Sequence, residues 1–153
     1  MRAILLAIFI IMLSGCSASG ERFNGFQPVA NNKSAVYIYR PSEFFQGGTW
    51  PTVFIDGVEK FSLKNGGYIF SNLTSGKHEI KIGATSFFDN WSFKDVVGTI
   101  DVEEGKTYYL RFDVKFKDAA SYGSVISFSG AAGLIEVSKE QAELDLKELS
   151  SSM

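Results

Sequence analysis

The chain has 153 residues, a formal charge of −2, one cysteine and one histidine. Leu, Ile, Val and Phe together number 46, well above the level of about 20% below which chains tend to be disordered, so a buried core is expected. The near-neutral balance excludes a strongly basic nucleic-acid binder. The single cysteine excludes a disulfide framework and a multi-cysteine zinc site, and the single histidine excludes a multi-histidine metal site.

The chain opens on Met1-Arg2, followed by an unbroken apolar run over 3–13, AILLAIFIIML. A secretory hydrophobic segment spans about 7–15 residues, whereas a membrane-crossing helix needs about 17–25, so the run reads as a signal. It leads into Leu13-Ser14-Gly15-Cys16, which resembles the lipobox of bacterial lipoproteins. The resemblance implies a signal peptide over 1–15, cleavage before Cys16, and diacylglycerol joined to its sulfur as a thioether. No other cofactor is expected. The alternative, an ordinary signal followed by an unmodified cysteine, lacks an A-x-A cleavage pattern and leaves a free thiol in an oxidising compartment. With about 0.8 kcal/mol for each buried methylene, two acyl chains anchor a protein stably. In the Gram-negative members of that class, Asp after the cysteine favours inner-membrane retention. By the same resemblance Ser17 permits export to the outer membrane, facing the periplasm, if the envelope is Gram-negative.

Residues 16–34 are expected to be the lipidated cysteine and a tether. The stretch SASGERFNGFQPVANNKS has no sustained period and is rich in Ser, Gly and Asn. Fully flexible, it would have a root-mean-square span of roughly 21–25 Å. Phe23, Phe26 and Val29 are the residues by which part of it would dock. Three Asn-x-Ser/Thr triplets, at Asn32, Asn72 and Asn90, match the glycosylation pattern, but the lipobox points to a bacterial cell and they are discounted.

From 35 onward, short extended runs alternate with turns. AVYIYR (35–40) is apolar on both faces, as in a central strand, and Pro41 ends it. TVFID (52–56) runs into Asp56-Gly57, a two-residue hairpin signal, because a type I′ turn needs positive φ at both positions. Val58–Leu63 returns, Asn65-Gly66-Gly67 turns, and Tyr68–Leu73 follows. In 77–82, Lys77, Glu79 and Lys81 alternate with His78, Ile80 and Ile82. Gly98–Val102 comes next, with Ile100 and Val102 inward, then the Glu104-Gly105 turn. Over 108–116, Tyr108, Leu110, Phe112, Val114 and Phe116 face one side, and Tyr109, Arg111, Asp113 and Lys115 face the other, the signature of one buried and one wet face. Val125–Phe128 and Leu134–Val137 complete the set. The expected fold is mainly β: an antiparallel β-sandwich of about eight or nine short strands.

The C-terminal part changes character. Ser138-x-x-Gln141 is a capping box, Ala142, Leu146 and Leu149 share one helical face, and Glu143 and Lys147 form an i, i+4 pair. A short amphipathic helix is expected, laid across the sandwich or offered to a partner. It closes a domain over 35–149, followed by a frayed tail over 150–153.

Four segments taken together, AVYIYRP (35–41), VFIDGVEKFSLKNGGYIF with SGKHEIKI (53–82), EEGKTYYLRF (103–112) and LIEVSKEQAELDL (134–146), resemble a family of bacterial envelope lipoproteins of unknown function. The Ile-Asp-Gly, Asn-Gly-Gly-Tyr and Gly-Lys-His blocks are similar to PEGA-type surface β-sandwich modules. Ser75 stands where such modules often carry proline. The resemblance implies a sandwich in an envelope lipoprotein and no reaction.

Few residues point to chemistry. His78 is a candidate base, but in a strand, on the apolar side, it reads as a packed, hydrogen-bonded imidazole. No calcium-loop, P-loop or dinucleotide fingerprint is present. Two aromatic loops are the candidate contacts for a ligand or partner: SEFFQGGTW (42–50), with Phe44, Phe45 and Trp50, and SFFDNWSF (86–93), with Phe87, Phe88, Trp91 and Phe93. Such clusters make stacking platforms for sugars, sockets for partners or feet on a membrane. Their bland reading is that they plug the ends of the sandwich. The expected function is that of a lipid-anchored, non-catalytic binding module for an envelope protein or glycan, with no nucleic acid. The alternatives are an envelope-glycan enzyme using carboxylates such as Asp56 and Asp89, or a purely structural envelope component.

Overall fold

The computed structural model describes residues 17–85, 90–122 and 125–153. Cys16, Phe87, Phe88 and Asp89 lie outside them. The described residues form strands β1 (Ser34–Arg40), β2 (Thr52–Ile55), β3 (Val58–Ser62), β4 (Gly67–Leu73), β5 (Gly76–Gly83), β6 (Val96–Val102), β7 (Thr107–Tyr122) and β8 (Val125–Glu136), helix α1 (Lys139–Leu146) and strand β9 (Ser150–Ser151). One sheet has the order β8-β7-β1-β4-β9, the other β3-β2-β5-β6. The fold is mainly β, with a single short C-terminal helix among the described residues, as expected from the alternation.

Two seams depart from a purely antiparallel sandwich. β1 pairs with β7 in parallel, Tyr39 opposite Arg111, and β4 pairs with β9 in parallel. A parallel neighbour needs a long connection, and strands β2 to β6 supply it between β1 and β7. Not all strands are short, either. The two expected runs at 125–128 and 134–137 belong to one strand, β8, paired with β7 from Glu136 opposite Leu110 to Val125 opposite Tyr122. The glycines between them are not breaks. At Gly130 a Cβ would sit 2.5 Å from Cε1 of Phe45, so the glycine makes room for a ring. The Asp56-Gly57 hairpin forms as expected, with φ of 52° and 74°.

The inner faces of the two sheets enclose one core. β1 gives Val36 and Ile38, β4 Ile69, and β7 Leu110, Phe112 and Val114. β2 gives Val53 and Ile55, and β5 Ile80 and Ile82. A second cluster covers the outer face of the five-stranded sheet: Tyr37, Tyr39, Tyr68 and Tyr109 pack against Ala142, Leu146, Leu149, Phe23 and Phe26. The face of β7 carrying Tyr109 is therefore not the wet face that its Arg and Asp implied. A third layer lies on it.

That layer comes from both termini of the domain. The segment expected as a tether is docked from Ser17 onward. Ser17 bridges to Asn65, Arg22 to Ser150, and Phe23 N–H donates to the Leu149 carbonyl at 3.0 Å. The tail expected to fray pairs with β4, and Ser151 and Ser152 are buried. The physical reason is shared: Phe23, Phe26, Leu146 and Leu149 bury apolar surface only by lying on the tyrosines. Helix α1 starts as read. Gln141 N–H donates to Ser138 Oγ at 3.3 Å, while the Gln141 side chain turns to Asp145 Oδ1 at 2.8 Å, so only half of the capping box forms. Glu143 and Lys147 pair at 3.3 Å.

Because Leu146 is fully buried under the helix and Leu144 is 63% exposed, the two leucines separate packing from propensity. Leu146→Ala is expected to destabilise the fold by about 2–5 kcal/mol in urea unfolding. Leu144→Ala should stay within about 0.5 kcal/mol of the parent.

Candidate functional site

The first aromatic loop, residues 41–51, leaves β1 at Arg40. This arginine is 1% exposed and spends its charge on main-chain carbonyls. Nη1 donates to Thr49 O and Nη2 to Gln46 O, each at 2.7 Å. Burial pulls its pKa down to about 10. Gln46 sits in the left-handed region at φ 60°, costly for a residue with a Cβ. Its carbonyl holds it there by also accepting from Thr49 N–H at 3.0 Å and Thr49 Oγ1 at 2.9 Å. Asn65 grips the other arm: its Oδ1 accepts from Glu43 N–H at 2.9 Å and its Nδ2 donates to Glu43 O at 3.0 Å. Asn90 ties this loop to the second one, accepting from Trp50 N–H at 3.1 Å and donating to Gly48 O at 3.0 Å.

The two loops therefore lie side by side, but their rings do different things. Trp91 is 6% exposed, with its ring 5.2 Å from Phe93 and 5.7 Å from Phe112. Phe45 packs edge-on to Phe93 at 6.2 Å and Phe116 at 5.4 Å. Both close the end of the inner core. Trp50 is half-buried, with Lys64 Nζ 5.9 Å from its ring. Phe44 alone of the four described candidates presents its whole ring to solvent, at 103% exposure. Phe87 and Phe88 belong to the undescribed part of the second loop.

His78 is packed, as its strand position indicated. It is 8% exposed, Nδ1 lies 2.6 Å from Asp56 Oδ2, and Nε2 lies 2.9 Å from the Thr74 carbonyl. Both partners are acceptors, so the imidazolium satisfies both. The Asp56 carboxylate, seconded by Thr74, raises the His78 pKa against the opposing effect of burial. In return His78, with Glu79 N–H, lowers that of Asp56. Neither ring nitrogen is left to take up a proton from a substrate. Asp56, one of the two carboxylates weighed for glycan chemistry, thus ties the β2–β3 turn to β5 through His78 and the Glu79 N–H. Asp89 lies outside the described residues.

Sequence reasoning missed a second polar cluster. Under α1, Tyr39 OH donates to Asp145 Oδ2 at 2.7 Å. Arg111 reaches the same oxygen at 3.5 Å and Asp113 at 3.0 Å. Burial first, then Asp145, raises the Tyr39 pKa. Arg111 and Asp113 on one face of β7 carried the signal, but their partner sits 34 residues from Arg111 on the helix. Beside it, a shallow depression of about 440 Å³ separates Phe23–Phe26 from Lys139, Glu143 and Lys147. Among the described residues no group of three or more His, Cys, Asp and Glu could hold a metal ion.

Residues 30–125 match the family described as "Protein of unknown function (DUF2846)", and since this is more than half of the chain, the chain belongs to that family. Neither the curated proteins nor the solved structures contain a match.

Two outcomes are expected. Trp91→Ala should cost about 3–5 kcal/mol of stability, whereas Phe44→Ala should leave the thermal midpoint nearly unchanged; calorimetry reads both. His78 is raised above 6.5, so its contribution to stability is complete below that pH and is lost as pH rises through the folded-state value. Asp56, lowered below 3.8, contributes above that pH and loses it on acidification. The pair therefore stabilises fully between 3.8 and 6.5. Asp56→Asn, which tolerates the left-handed turn position, should flatten the fall in midpoint seen above 6.5.

Proposed function

We propose that this protein is a lipid-anchored component of the bacterial cell envelope whose β-sandwich is a non-catalytic binding or interaction module. The observation that carries the reading is Leu13-Ser14-Gly15-Cys16 behind an eleven-residue apolar run; the next residue, Ser17, bridges to Asn65 of the sandwich. The use of the polar side chains supports the non-catalytic part. His78 and Asp56 hold each other, and Arg111, Asp113 and Asp145 clasp the helix to the sheet. No described helix is long and apolar enough to cross a membrane, and on this reading the acyl chains supply the attachment. The partner is an envelope protein or a glycan, the membrane of a Gram-negative envelope would be the outer one by the identity of Ser17, and nucleic acid is not a ligand.

The test is Cys16→Ser. The parent should incorporate labelled palmitate and glycerol and sediment with membranes. The variant should keep its signal, take up no label and leave the membrane fraction. Equal labelling of the two forms overturns the anchor. Crosslinking in cells, followed by identification of what is joined to the lipidated form, tests the module: a specific envelope partner supports it, and turnover of a cell-wall glycan by the purified protein overturns it.

A further inference from the structure

The arm from Ser17 to Gln27 lies on the domain in the manner of a bound peptide. It adds one more strand-like edge beyond β9. Gly20 N–H donates to the Ser151 carbonyl at 3.1 Å, Ser151 N–H to the Glu21 carbonyl at 2.8 Å, and Phe23 N–H to the Leu149 carbonyl at 3.0 Å. Arg22 stands directly opposite Ser150 in the antiparallel sense. Two rings three residues apart are its side-chain anchors. Phe23 packs edge-on to Tyr37 and Tyr68 at 6.2 and 5.7 Å, and Phe26 lies 5.3 Å from Tyr37 and 5.0 Å from Tyr109. Main-chain pairing at a sheet edge, with pockets for side chains, is how a sheet recognises a separate extended chain.

The arm is not sealed in place. Each of residues 17–29 is half-buried or exposed. Depressions of about 440 and 350 Å³ flank the arm, one between Phe23–Phe26 and the helix, the other beside Glu21 and Tyr68, so water reaches both of its sides. Residues 28–32, which join it to β1, are exposed apart from the half-buried Val29. They end in a turn: Lys33 N–H donates to the Ala30 carbonyl at 3.1 Å, and Asn32 sits in the left-handed region at φ 54°. Opening that turn returns Asn32 to ordinary backbone geometry and leaves β1 in place, because Gly105 N–H holds the Lys33 carbonyl at 3.0 Å. Fully extended, residues 27–33 span roughly 23–25 Å, more than twice the spacing of packed sheets.

The partners that receive the arm, Tyr37, Tyr68, Tyr109 and residues 149–151, all lie beyond this hinge, so a second copy offers the same receiving face. A strained hinge with an identical acceptor on every copy favours exchange of an element between copies. On the reading above, the arm starts one residue after the lipid-bearing Cys16, and the arms and receiving faces of all copies share one membrane plane.

We propose that the tyrosine face accepts the N-terminal arm of a second copy of this chain. Two copies exchange residues 17–27 reciprocally about a two-fold axis. Phe23 and Phe26 of each lie on the tyrosines of the other, and the acyl chains of each are held at the end of its partner that carries Asn65. The exchange takes its shared plane from the lipidation of Cys16, yet fails separately from it.

The test co-expresses two full-length forms in one bacterial cell, Arg22→Cys and Ser150→Cys, each with a different tag after the exposed Met153. Residues directly opposite across an antiparallel pair lie within reach of a disulfide, and with Cys16 blocked by its thioether neither form can close one within itself. Mild oxidation of the membranes should give a reducible species carrying both tags. Phe23→Ala with Phe26→Ala in the Arg22→Cys chain should lower its yield at least about tenfold, since two sets of ring contacts are lost. No mixed species, while a single chain carrying both new cysteines closes internally, overturns the exchange and leaves the arm on its own domain. An undiminished yield without the two rings also overturns it, marking chance collision. Palmitate labelling of the same cells reads the anchor independently: label without the mixed species fails the exchange alone, and the mixed species without label fails the anchor alone.

Discussion

The structure depends on one strand with two dry faces. All seven residues of β1 are buried. Val36 and Ile38 point into the space between the sheets, while Tyr37 and Tyr39 point the other way. Burying a tyrosine requires a partner for its hydroxyl, and here each hydroxyl secures one covering segment. Tyr37 OH accepts from Gln27 N–H at 2.6 Å, which holds the N-terminal stretch, and Tyr39 OH donates to Asp145, which holds the helix. Burial raises the pKa of both phenols, so they stay neutral and suited to this work. A single alternating strand therefore organises three layers.

The same economy governs the loops. Arg40, Asn65 and Asn90 are polar residues that serve the main chain rather than a ligand, and they set which ring of each loop is inward. Once Asn90 has joined the loops, Trp91 and Phe45 fill the end of the core. Among the described candidate rings of the two loops, Trp50 is half-buried and Phe44 is fully exposed.

Local pattern was a sound guide wherever the structure is local. The alternation over 108–116, the Asp56-Gly57 hairpin, the face formed by Ala142, Leu146 and Leu149, and the packed state of His78 all follow from neighbours in sequence. The rest depends on contacts that no short window contains. The parallel seam joins β1 to a strand some seventy residues later. Arg111 and Asp113 look solvated until Asp145 arrives from the helix, and Gly130 looks like a break until Phe45 lies on it. The apolar character of both faces of 35–40 did announce a second cover, though not that Phe23, Phe26 and the final serines supply it. At the candidate site, the residue types marked two aromatic loops, but which ring turns inward is decided by hydrogen bonds to Asn65 and Asn90 across turns.

The pairing of residues 20–23 with 149–151 bears on how such a protein is made. Burial of the tyrosine face waits for the last helix and β9, and the central β1–β7 seam closes a long stretch of chain. Topologies of this kind fold slowly, because chain entropy is lost before distant contacts repay it. The portion already synthesised lacks the pieces that would lock it, so the three layers close only once the last residues of the chain are available.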